Sequence, residues 1–192
     1  MLNQHKRDGG GAPQAELLET EGGLEPAGAG WFVVNTRDAS WWRNDAFGEI
    51  CAFEGEGNAE FSEVGINIHV LEPGKPSCMY HGEAPQEDFL VLCGECLLLI
   101  DGEERRLVAW DFVHCPPWTE HVFVGAGDGP CAVLMVGARR KDAGLLYPVS
   151  EVARRHGAGV EEETPEPSVA YAPYPPSVRA RPQLRGLPWE AA

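Results

Sequence analysis

Between Ile50 and Ala138 the chain is a succession of short apolar runs, each closed by glycine, proline or an acidic turn. That feature limits the fold more than any other. EICAFEG, INIHVLEPG, SCMYHGE, DFLVLCG, ECLLLIDG, EERRLVAW, DFVHCPP, EHVFVGAGDGP and CAVLMVGA follow one another with no alternating helices between them. INIHVL alternates: Ile66, Ile68 and Val70 share one face, and Asn67, His69 and Leu71 the other. Runs this short, spaced this regularly by turn residues, point to an all-β sandwich or barrel. One short helix is predicted near PVSEVARRHG, with Ser150 as its N-cap and Gly157 as its stop.

A chain of 192 residues buries one core more readily than two. Residues 1–30 are rich in Gly, Ala and Glu and read as a flexible lead-in. Residues 31–148 form the expected β domain, and residues 149–192 a short helix followed by a Pro-rich extension. There, Pro165, Pro167, Pro173, Pro175, Pro176, Pro182 and Pro188 argue against regular helix and central strand. The extension is then either disordered or laid over a surface, and its tyrosines and Trp189 favour docking. A net charge of −15 opposes broad attraction to nucleic acid or anionic membranes. No apolar run is long enough to cross a bilayer, and no apolar leader follows the basic start, so the expected location is cytoplasmic. The six cysteines are expected as free thiols, and CGEC straddles a turn rather than opening a helix.

The stretch YHGEAPQEDF concentrates the candidate chemistry. Positions i and i+2 of a strand share a face, so His81 and Glu83 point the same way. With Glu87 and the later His121, four groups can converge. Imidazole nitrogens and carboxylate oxygens suit a divalent metal. Buried carboxylates without a cation are costly, so convergence would itself argue for an ion. Tyr80 and Trp118 flank these positions and are candidate substrate contacts. His69 and His114 read as structural.

GKPSCMYHGEAPQEDFLVLCG resembles the first motif of the cupin superfamily, with Gly74, His81, Glu87 and Gly94 at matching positions and Glu83 in place of a second histidine. WDFVHCPPWTEHVFVG resembles the second motif through Asp111, Pro116 and His121. Here Trp110 and Trp118 stand where glycines are usual, and Gly125 where asparagine is usual. The resemblance spans roughly residues 60–137. It implies a small antiparallel double-stranded β-helix, a jelly-roll barrel, holding one divalent ion (Fe, Mn, Zn or Ni) on His81, Glu83, Glu87 and His121. Glu83 is alternatively a general base rather than a ligand. The function implied is that of a metal-dependent enzyme of oxygenase or isomerase type on a small molecule. A non-catalytic small-molecule-binding or sensory protein and a structural or interaction module are the alternatives. A homodimer formed through edge strands is also implied, with Trp41, Trp42 and the extension supplying aromatic surface.

Overall fold

The computed structural model describes residues 11–140, 144–183 and 186–189. The first ten residues of the expected lead-in and the last three of the extension lie outside them. In chain order the elements are β1 (Leu17–Glu19), β2 (Leu24–Pro26), β3 (Ser40–Asn44), β4 (Gly48–Ala52), β5 (Val64–Leu71), β6 (Gly82–Glu83), β7 (Glu87–Cys93) and β8 (Glu95–Ile100). There follow β9 (Glu103–Val108), β10 (Phe112–Cys115), β11 (His121–Ala126), β12 (Cys131–Ala138), β13 (Leu145–Leu146), α1 (Glu151–Arg155), α2 (Pro167–Ala170) and β14 (Val178–Arg179). No helix among the described residues is long and apolar enough to cross a membrane.

Seven strands form an antiparallel sheet in the order β10-β7-β12-β5-β4-β3-β14, and three form a second in the order β11-β8-β9. The two sheets enclose one core. Leu71, Phe89, Val91 and Val133 from the larger sheet meet Cys96, Leu98 and Phe123 from the smaller. The expected closed jelly-roll barrel is corrected by this topology: among the described residues each sheet is open, with β10 and β14 at the edges of one and β11 and β9 at the edges of the other. The reason lies in SCMYHGE, which the sequence suggests as a full strand. It makes only isolated bridges, Pro76 to Val124 and His81 to His121, before the two-residue β6 pairs with β13. The following Pro85 has no N–H to donate to a ladder.

Local sequence explains the turns. Asp101 and Gly102, at φ 47° and 80°, make the left-handed two-residue hairpin between β8 and β9. Gly94, at φ 71°, passes the chain from one sheet to the other. A side chain there would lie 2.5 Å from the Pro130 carbonyl oxygen.

β5 is covered on both faces. Ile68 and Val70 pack with Trp41, Cys51, Ala132 and Leu187, while Leu71 enters the core between the sheets. Outside the smaller sheet, Leu99, Val122 and Val124 pack with Tyr80 and with Ala153 of α1. That helix begins where expected, with the Ser150 hydroxyl accepting from the Ala153 N–H at 3.3 Å.

Within the stretch read as a lead-in, β1 and β2 form a hairpin. In the extension, β14 pairs with β3, the Arg179 guanidinium stacks 4.6 Å from the Trp42 ring and pairs with Glu25 of β2, and Arg181 pairs with Glu19 of β1. The prolines do not exclude a helical turn, because Pro167 opens α2 at a position whose N–H has no intrahelical partner.

Candidate metal centre

His81 and His121 face each other across an isolated antiparallel bridge. The His121 N–H donates to the His81 carbonyl at 2.8 Å, and the reverse bond is 3.2 Å. Their rings lie 5.2 Å apart between centroids. Each Nδ1 reaches the carbonyl two residues earlier in the chain, Met79 at 2.8 Å and Thr119 at 2.9 Å. A carbonyl only accepts, so each Nδ1 carries a proton and Nε2 is the nitrogen left to ligate, on His121 directly and on His81 once its second proton is lost. Glu87 opens β7 and places Oε2 3.6 Å from the His121 Nε2. One donor atom from each of His81, Glu87 and His121 lies within 4.8 Å of the others. Donors about 2.0–2.2 Å from a shared ion are up to about 4.4 Å apart, so the set needs only a small contraction to ligate one.

Glu83 stands apart from these three. Its Oε1 is 3.5 Å from the His81 Nε2, its side chain is 34% exposed, and it does not belong to the shared cluster. Of the four residues singled out from the sequence, three therefore meet and one flanks them. Tyr80 and Trp118 do not line the cavity at this site. Strand parity turns Tyr80 to the opposite face, where it packs with Leu99 and Val122. Trp118 is 53% exposed, and its ring closes over Gly144, where a side chain would lie 2.6 Å from the ring unless the ring moved aside. His114 is also remote and pairs with Asp88 at 2.7 Å on the outer surface.

Burial drives the Glu87 carboxyl up to about 7, and the Glu83 charge adds to the effect. Burial also pushes His121 down to about 4, with the facing His81 acting in the same direction. For His81, burial favours the neutral ring, but Cys78, Glu83 and Glu87 outweigh it and hold its pKa well above the ordinary value. Glu83 is lowered by its hydrogen bond with His81, against the opposing effect of burial. One proton on His81 thus serves as the cation for two carboxylates. A divalent ion fits the same role, and the anchored imidazoles and the underneutralised Glu87 suit it.

A cavity of about 400 Å³ opens beside these donors, lined also by Asn67, His69, Cys78, Met135, Tyr147 and Tyr171. Sequence reasoning assigned none of these to the site. For Asn67 and His69 a signal existed, because they share the strand face that carries Leu71 into the core. The buried Asn67 Oδ1 and His69 Nδ1 have no hydrogen-bond partner. Burial lowers the His69 pKa to about 4, opposed by a hydrogen bond to the Ser77 backbone, so the ring is neutral. Tyr147 and Tyr171 carry no local signal; folding brings them from distant parts of the chain.

Residues 67–137 match the family model described as the cupin domain. Over that stretch the chain is similar to the cupin domain. Both motif histidines and Glu87 fall inside it. No curated protein matches the chain. Among solved structures, a proposed sugar phosphate isomerase from Acidithiobacillus ferrooxidans is 24% identical, with 52% of this chain covering 65% of that one, just under two thirds, at a TM-score of 0.47. A cupin-superfamily sugar phosphate isomerase from Silicibacter pomeroyi is 26% identical over 62% of this chain and 73% of that one, at a TM-score of 0.45. The polyketide cyclase RemF from Streptomyces resistomycificus is 15% identical over 59% and 83%, at 0.50. Likeness at this distance concerns the fold of the cupin domain and transfers no activity.

Proposed function

We propose that this cupin domain holds one divalent ion on His81, Glu87 and His121 and acts as a metal-dependent enzyme, of oxygenase or isomerase type, on a small molecule. The observation that supports this reading is the convergence of three donors, both imidazoles anchored through Nδ1, two of which, His81 and Glu87, line a cavity. Two histidines and one carboxylate leave positions open on an octahedral ion, and the mixed donor set suits Fe(II) or Mn(II). Once bound, the ion supplies Lewis-acid polarisation of a substrate oxygen or, if iron, a site for dioxygen. The chain's own residues do the rest. His81 and His121 are held in one orientation by Met79 and Thr119. Glu83, outside the donor set and partly exposed, is placed to move a proton at the cavity rim.

The test is elemental analysis of the purified protein followed by reloading with Co(II), whose visible spectrum reports coordination. A stoichiometric ion, and a spectrum that shifts on adding azide, are expected. A protein that takes up no ion, or whose Co(II) spectrum ignores azide, overturns an open catalytic centre.

The oligomer belongs to the same reading. Trp41 is fully buried and so supplies no interface, and Trp42 is stacked by Arg179. The edge strand β10, the turn before it and the end of β9 expose Phe112, Trp110 and Val108, the first two at 65% and 74%. Trp110 also holds φ at 76°, an unfavourable conformation for a large side chain. An exposed, strained tryptophan beside an unpaired edge supports a homodimer through β10, and light scattering showing only monomer would refute it.

A further inference from the structure

A second cavity, of about 560 Å³, lies behind the first. The two share His69, Cys78 and Tyr171. Its floor comes from β3, β4 and β5, including Phe47 in the β3–β4 turn and Ile50. Its roof is the extension from Ser168 to Ser177. That roof is fastened at several points. The Asn44 amide donates to the Pro175 carbonyl at 2.8 Å, the Met79 N–H donates to the Tyr171 hydroxyl at 3.1 Å, and the Tyr174 hydroxyl donates to the Gly157 carbonyl at 3.1 Å. The rings of Tyr171 and Tyr174 stand edge-on to Phe47, at 5.3 and 4.8 Å.

Three features define what could occupy it. None of the described residues lining the second cavity is charged, and aromatic, prolyl and aliphatic groups make up much of its wall. At the junction His69, 8% exposed, hydrogen-bonds the Ser77 backbone through its ring and leaves Nδ1 bare. Since a neutral imidazole carries one proton and a backbone carbonyl takes it, Nδ1 is an acceptor without a donor. Two residues along the same face, Asn67 Oδ1 is a second unpaired acceptor. In the metal cavity the cation among the described lining residues is Arg139, and it is engaged by Glu54 and by the Phe61 carbonyl. The carboxylates of Glu83 and Glu87 face that same space. Unpaired buried acceptors are costly, and a ligand hydroxyl would satisfy them. In the metal-free protein an anion would meet two carboxylates, and the cations there, Arg139 and the protonated His81, are already paired with Glu54 and Glu83.

We infer that the joined cavities bind an uncharged, hydroxyl-bearing compound with a flat apolar body: the body lies under the C-terminal roof, and the hydroxyl end meets His69 and Asn67 beside the metal donors. The direction of that hydroxyl end rests on the metal-centre reading; the preference for an uncharged donor does not.

The test is calorimetric titration of the full chain, metal-loaded and chelator-treated, with three probes: naphthol, methoxynaphthalene and naphthyl phosphate. Naphthol is expected to bind about fivefold or more tightly than methoxynaphthalene, the worth of one buried hydrogen bond. To the chelator-treated protein, naphthyl phosphate is expected to bind more weakly than naphthol by at least about tenfold. His69→Leu should abolish the difference between naphthol and its methyl ether while leaving the ether's affinity in place. Naphthyl phosphate binding the chelated protein as tightly as naphthol, or equal affinities for naphthol and the ether in wild type, overturns the inference. Because the chelated protein is measured alongside, the naphthol preference can persist where metal uptake fails, so the two readings fall separately.

Discussion

Glu87→Gln should stabilise the metal-free protein at alkaline pH while destroying its affinity for metal. Glu87 is 16% exposed in its side chain, and its carboxyl is pushed from 4.5 to about 7 by burial and by Glu83. A folded-state pKa above the unfolded one means that the folded chain keeps a proton the unfolded chain has lost. Between pH 4.5 and about 7 the folded state is therefore progressively penalised as pH rises, and above pH 7 the full penalty applies. A shift of about 2.5 units corresponds to about 3 kcal/mol. Glutamine keeps the shape and an acceptor for neighbouring donors but cannot ionise. Metal-free Glu87→Gln at pH 8 should thus be more stable than wild type by about 3 kcal/mol, or about 6–12 °C in Tm for a chain of this length. Near pH 4 the two should be alike. Metal should invert the order: at a thousandfold excess over Kd an ion adds about 4 kcal/mol to wild type and little to the variant. Chelator-treated and metal-loaded samples followed by calorimetry or urea titration at both pH values decide it. A metal-free variant no more stable than wild type at pH 8 would refute the claim that Glu87 is a buried, underneutralised carboxylate.

His121→Ala should lower metal content by more than about a hundredfold in affinity while the sheets stay folded, read by elemental analysis and circular dichroism; unchanged stoichiometry would remove His121 from the site. Glu83→Ala should keep the ion with less than about a tenfold loss, because Glu83 lies outside the three-donor set, whereas a loss as large as that of His121→Ala would make it a ligand. Metal affinity should rise with pH through about 7, by about tenfold per unit for each proton released, since His81 and Glu87 must both lose protons to bind; a pH-independent Kd contradicts this. His69, lowered to about 4 by burial, binds its proton in the unfolded chain first, so wild type should lose about 3 kcal/mol between pH 6.5 and 4 relative to His69→Leu, measured by denaturant titration.

Much of the β organisation follows from short-range patterning. The runs from Glu87 to Ala138 become β7 to β12 because their turns are local devices: Gly94 and the Asp101-Gly102 pair need only their own backbone angles. His81, Glu87 and His121 could be named because motif spacing and strand parity are also local. By the same parity Tyr80, the residue before His81, points to the other face and packs with Leu99 and Val122. Trp110 and Trp118 are instructive. They stand where the motif has glycine, and the backbone keeps the glycine conformation there, with φ at 76° and 67°. The chain path is thus set by tertiary contacts strong enough to hold a tryptophan in a region that costs about 1–2 kcal/mol.

Other features could not be read from the chain. Whether the sheets close depends on a ladder between β6 and its neighbours, and two residues pairing with the distant β13 do not extend it. Glu83 and Glu87 differ by four positions and look equivalent in sequence. Only the register of β6 against β13 and of β7 against β10 and β12 leaves one at the rim and brings the other to the histidines. Tyr147 and Tyr171 reach the cavity because the extension docks, and the docking depends on Arg179, Arg181 and Asn44 finding partners far away in sequence. Residue order determines periodicity, turns and which donor types are available. Where donors meet, and which polar atoms are left without partners, is decided by long-range pairing, whose energy is realised only when both segments are in place.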